Sequence, residues 1–142
     1  MNVDVDSVAP RLGAIACLLL AGIVFAPALL IAVPGAGVAD YYAAGPIGIS
    51  IVGVLALLDV VVFLAAAQER SDPVTLAGVA LVSAVAMILF SLLWALSIDP
   101  TLLFSFPAEY AWIENHRWVV VTGSAVVAIA AGSFARAQLP GY

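Results

Sequence analysis

Apolar residues come in four long blocks along the chain, separated by short polar or Pro/Gly-rich stretches. A soluble domain needs polar positions on every element, so uninterrupted apolar blocks of this length suit helices that cross a bilayer. The pattern predicts an all-α fold, a four-helix transmembrane bundle in a single membrane domain over 1–142, with spans at about 12–33, 46–67, 74–97 and 118–136. Ser7 and Pro10 supply cap and first-turn chemistry for the first span, and Pro27 inside it predicts a kink. Pro34-Gly35-Ala36-Gly37 breaks that helix. Asp40, Tyr41 and Tyr42, followed by Gly45-Pro46, then read as a short loop whose rings suit the membrane interface. Residues 68–72 form a tight turn, with Asp72 as cap and Pro73 in the first turn of the third span. That span carries Trp94 near its end and stops at Asp99-Pro100. The stretch 101–116 reads as helical from Pro107, capped by Ser105 and running through His116, Arg117 and Trp118 into the fourth span. A separate interfacial helix before that span is the alternative.

Composition agrees with this pattern, since 65% of the residues are hydrophobic and only 9% charged, far from the soluble norm. Nine acids against four arginines and no lysine leave a net charge of −5, which argues against a nucleic-acid partner and fits a high-salt cytoplasm or a GC-rich genome. Cys17 is the sole cysteine and His116 the sole histidine. Within one chain, then, a disulfide, a cysteine-based zinc cluster and a bis-histidine haem are all excluded, and no cofactor is expected. The first block is too long for a signal-peptide core, and its leader holds Asp4 and Asp6 against one arginine, so it reads as a span despite the small residues Gly37-Val38-Ala39. Arg11, Arg70 and Arg136 fall on one side of the predicted topology and Arg117 on the other, which places the protein in the cell membrane with both termini cytoplasmic. Asp40, Asp99, Glu109 and Glu114 make the outer face acidic.

Asp59 is the one ionisable side chain inside a span, about thirteen residues beyond Pro46 and so close to the midplane. A central Asp costs roughly 2.5 to 3.5 kcal/mol on insertion scales, so it should face protein or water, find a partner, or stay protonated. Counting equal depth along the antiparallel third span brings Ser83 level with it as the candidate partner. Either Asp59 is a proton or cation site in a transport path, or it is a neutral carboxyl that ties two helices through a hydroxyl. A second cluster, Glu109, Trp112, Glu114, His116, Arg117 and Trp118, lies at the outer boundary of the fourth span. There Glu114 can pair with Arg117, Trp112 can stack on His116, and the tryptophans, with Tyr110, read as interface anchors. Glu109, His116, Asp40 and Asp99 lack the tight spacing of a metal site, and no metal is expected. Ser124, Ala128 and Gly132 recur every four residues, as do Gly13, Cys17 and Ala21. Either stripe permits a close helix contact, within the chain, in a homo-oligomer or with another membrane protein. No phosphate-cradling glycine loop and no nucleophile, histidine and carboxylate at one depth point to an enzyme.

Ala9-Pro10-Arg11, Tyr41-Tyr42 with Gly45-Pro46, Glu69-Arg70 with Asp72-Pro73, and Glu114, His116, Arg117 and Trp118 together give the chain its resemblance. It resembles an uncharacterised family of small four-helix integral membrane proteins of haloarchaea. The resemblance covers nearly the whole chain and implies a habitat and a topology, without an activity or a site. The expected role is a non-enzymatic scaffold or accessory membrane subunit, with the lipid bilayer as its first partner. The alternative is a small transporter or ion pathway that uses Asp59.

Overall fold

Local punctuation sets some of the helix ends. Asp72 accepts from the Thr75 hydroxyl at 2.7 Å and from its N–H at 3.2 Å, and Pro73 occupies the first helical position. These bonds, the hydroxyl first, hold the Asp72 carboxyl below its ordinary value. In the computed structural model, which describes residues 5–31 and 37–138, the helices in chain order are α1 (Val5–Leu30), α2 (Val38–Ala43), α3 (Ser50–Ala67), α4 (Pro73–Ser97), α5 (Pro100–Phe104) and α6 (Ile113–Ala137). A single 3₁₀ turn, Ala108–Tyr110, precedes α6. The four long helices are long and apolar enough to cross a membrane. Among the described residues there is no strand.

The four long helices stand in a square, with α1 and α4 each packed against both α3 and α6. Successive long helices run antiparallel. Arg11, Arg70 and Arg136 therefore lie toward one end of the bundle, and α2, α5 and the 3₁₀ turn close the other. Each helix turns a seam of small and medium side chains inward. On α6 the seam is Ile113, His116, Val120, Ser124, Val127, Ala131 and Phe134, at spacings of three and four. Leucines and isoleucines such as Leu19, Leu96 and Ile129 face outward. Close approach of α1 and α3 depends on two glycines, because a Cβ at Gly13 would lie 2.5 Å from the Phe63 ring and one at Gly53 the same distance from the Phe25 ring.

Several boundaries differ from the sequence expectation. α1 begins at Val5, upstream of Ser7, the expected cap. The predicted end of the first span and the break at Pro34 to Ala36 lie outside the described residues. The second span starts at Ser50 rather than Pro46, because Gly48 at φ 81° turns the chain first. A Cβ there would lie 2.7 Å from the Tyr42 carbonyl oxygen, so the turn needs glycine. Ser105 caps nothing downstream. Its hydroxyl donates to the Leu102 carbonyl at the end of α5, and Pro107 leads into a 3₁₀ turn before α6 forms. From Ile113 onward the helix is continuous through His116, Arg117 and Trp118, as expected.

The largest departure concerns Tyr41 and Tyr42. They lie on α2 rather than in a loop, and the Tyr41 side chain is fully buried. The stripe Ser124, Ala128, Gly132 also divides. Ser124 is buried and donates to Val120 of its own helix at 3.0 Å, whereas a Cβ at Gly132 would meet nothing within 4 Å. The stripe Gly13, Cys17, Ala21 is buried throughout.

Candidate functional site

Asp59 sits near the middle of α3 with 0% of its surface exposed. Around mid-length the flanking helices turn small residues inward, Cys17 on α1 and Ala80 and Ala84 on α4. Cys17 and Ser83 lie close enough to act electrostatically on the carboxyl. The Ser83 hydroxyl lies on the level that depth counting gave it, beside the carboxyl but outside strict hydrogen-bond geometry. Neither carboxylate oxygen of Asp59 has a partner at hydrogen-bond distance and angle. A buried acid without a bonded partner is costly when neutral and far more so when ionised.

A second polar site closes the bundle end that carries α2. It begins with Pro27, which has no N–H and so leaves the Ile23 carbonyl without its helical donor. His116 of α6 fills that vacancy, its Nε2 lying 2.5 Å from the Ile23 oxygen. A carbonyl only accepts, so Nε2 carries the proton, and Nδ1 of the neutral ring then accepts from the Tyr41 hydroxyl at 2.6 Å. Burial raises the Tyr41 hydroxyl above its ordinary value, which keeps it a donor. Trp94 completes the chain, donating from its indole nitrogen to the Tyr41 carbonyl at 2.7 Å. Tyr42 stitches the next rung of the same break. Its hydroxyl accepts from Ala28 N–H at 3.1 Å and donates to the Val24 carbonyl at 2.6 Å, so it stands between the two ends of one helical bond.

The predicted outer cluster therefore splits. Glu109, Trp112, Glu114 and Trp118 are exposed, as an interface anchor requires, while His116 is 6% exposed and belongs to the core. Trp112 does meet His116, edge to face at 6.1 Å between centroids. The expected Glu114–Arg117 pair is not formed. The Arg117 guanidinium instead donates to the Ala95 carbonyl at 3.1 Å and lies 5.1 Å from the centre of the Trp118 ring. Ala95 is in the last turn of α4, where carbonyls lack helical donors and a cation is favoured, so this contact outweighs an exposed ion pair. Among the described residues, no three His, Cys, Asp or Glu side chains converge as a metal site would require.

Sequence reasoning missed the roles of Tyr41, Tyr42 and Trp94. Pro27 was the available signal, because a proline within a span leaves a carbonyl and a distorted rung that polar side chains must satisfy. Hollows among the described residues complete the geometry. An apolar groove of about 670 Å³ runs between α1 and α6, past Leu12, Ile15, Leu19, Gly123, Val126 and Ile129. A shallower one of about 480 Å³ follows the outside of α4 from Val74 to Ser83. A polar-rimmed pocket of about 290 Å³ opens at the Arg70 end.

The chain belongs to a family of unknown function, DUF7548, which it matches over residues 3–139. No curated protein and no solved structure matches it.

Proposed function

We propose that this member of the family is a multi-pass membrane protein in which Asp59 binds and releases a proton within the bilayer, as part of a small transporter or proton pathway. The observation that carries this reading is the Asp59 carboxyl itself, fully buried at mid-depth with both oxygens unpartnered. The rival reading, a carboxyl that ties helices together, relies on the Ser83 hydroxyl, which lies beside Asp59 but outside strict hydrogen-bond geometry. Without a hydrogen bond the acid does nothing for packing that an apolar residue would not do better, whereas an intramembrane acid is by default a functional group. A proton is the ion that suits the donor set. Cys17 and Ser83 add one thiol and one hydroxyl, where a hard metal cation takes about six oxygen ligands. In proteoliposomes with an imposed pH gradient, the wild-type protein should carry a proton flux that Asp59→Asn removes while the variant remains folded. An equal flux from both proteins would end this reading.

The groove between α1 and α6 favours a second reading, an accessory subunit that seats a helix of another membrane protein. Ala16, Gly123 and Ala130 line it with little side-chain bulk, which leaves room for a helix to settle there. A photocrosslinker at Ile15 or Ile129 should then capture a discrete protein partner in native membranes, whereas only lipid adducts would count against it. The arginine distribution supports cytoplasmic termini in either case. The acidic, lysine-free composition, together with the resemblance stated above, supports a haloarchaeal source.

A further inference from the structure

The two ends of the bundle are closed in different ways. Between Asp59 and the α2 end stand Trp94, Tyr41 and His116, all buried and joined by hydrogen bonds of 2.6 and 2.7 Å. The Arg70 end instead holds the pocket of about 290 Å³, bounded by Ala66, Glu69, Ser71, Pro73, Phe134 and Gln138. Glu69, Ser71 and Gln138 give it a polar rim that water wets readily. Its inner limit is Phe134, whose ring lies 6.3 Å from that of Phe63, tilted by 50°. Both rings are buried. Phe63 is one helical turn from Asp59 on α3, so about 6 Å of axial rise separates the two residues.

We infer that this pocket is the water inlet to Asp59, and that the Phe63–Phe134 pair is the gate between them. The inference rests on the reading of Asp59 as an exchanging acid and adds the side from which exchange occurs. Protons are taken from solution at the Arg70 end, with the Glu69 carboxylate at the mouth, and reach Asp59 when the rings part. Phenylalanine suits such a gate because its ring turns about two side-chain torsions and makes no hydrogen bond that must break first. The opposite end cannot open so cheaply, since the Tyr41 hydroxyl, the Trp94 N–H and the Ile23 carbonyl would all lose partners in an apolar setting.

The test is hydrogen–deuterium exchange of the Asp59 carboxyl stretch, followed by difference infrared spectroscopy on the full chain in bilayers, with the band assigned by its loss in Asp59→Asn. Phe134→Ala should speed exchange by about tenfold or more, as local opening becomes easier. Phe134→Leu, a smaller change that keeps the core filled, should speed it less. Tyr41→Phe should leave the rate unchanged. A thermal midpoint measured for each variant separates gate opening from general loosening, because a destabilised but ungated protein would exchange faster in Tyr41→Phe as well. Faster exchange in Tyr41→Phe with no response in either Phe134 variant would place the inlet at the other end and overturn the inference, leaving the role of Asp59 intact. If the Asp59 band fails to exchange in the wild type and in every variant, the proton reading falls and the inlet with it.

Discussion

Replacing Tyr41 by phenylalanine removes one oxygen and leaves the His116 Nδ1 without its donor in a site closed to water. The expected loss is about 1–3 kcal/mol of unfolding free energy, the usual cost of a stranded buried polar atom. Tyr42→Phe should cost less, even though it removes two hydrogen bonds. The Ala28 N–H and Val24 carbonyl it abandons are natural partners in the helix and can bond to each other. Denaturant titration of the two variants in the same detergent checks the order. Equal losses would mean that the rung at the Pro27 break cannot close. None of this was visible in the sequence, where Tyr41 and Tyr42 read as loop rings at the interface and His116 as part of the outer cluster, because their partners lie on other helices, 14 to 93 positions away in the chain. Asp59 was the reverse case. Its place along the helix and the level of Ser83 followed from counting, but the geometry between the two depended on side-chain placement.

At the scale of the element, two helix features carry predictions. α3 ends with Arg70 N–H bonded to the Ala65 carbonyl at 3.0 Å and Glu69 N–H to Ala66 at 3.2 Å, which leaves Glu69 in the left-handed region at φ 56°. This closing motif is normally made with glycine, so Glu69→Gly should stabilise the protein by roughly 1 kcal/mol, visible as a raised thermal midpoint. The second feature is Pro27 inside α1. Pro27→Ala restores an N–H that competes with His116 for the Ile23 carbonyl. The nitrogen resonance of His116 Nε2 should shift as that hydrogen bond weakens. An unchanged resonance would show that tertiary packing, and not the missing N–H, holds the break open. Proline and aspartate made both ends of α4 readable, because capping acts between residues close in sequence; that Asp99 and Pro100 also start α5 was not foreseen. The start of α3 was misplaced because Gly48 must adopt a positive φ only once α2 has packed into the bundle.

For the whole molecule, the arrangement of charge predicts orientation. An impermeant maleimide applied to intact cells should label Glu109→Cys, and should reach Ser71→Cys only after the membrane is opened. Cys17 is buried and contributes no background. The opposite pattern would invert the protein in the membrane and turn the proposed inlet outward, without changing the fold. The adjacency of α3 and α4 follows from the tight turn between them, while α2 and α5 return the chain at the other end of the square.

What the sequence determines by itself is the number of long helices, both ends of α4 and the end of α3, the place of Asp59 halfway along its helix and the separation of charge between the two ends. Each is local, or adds up along the chain. Only the tertiary structure decides which face of each helix turns inward, and with it that Tyr41 and His116 are core residues and that Asp59 meets small residues and no bonded partner. The reason lies in the solvent. In water an inward face is marked by its hydrophobicity, but lipid tails are as apolar as leucine, so both faces of these helices are apolar. Interior and exterior then differ in size and fit, which become apparent only when four helices are packed together.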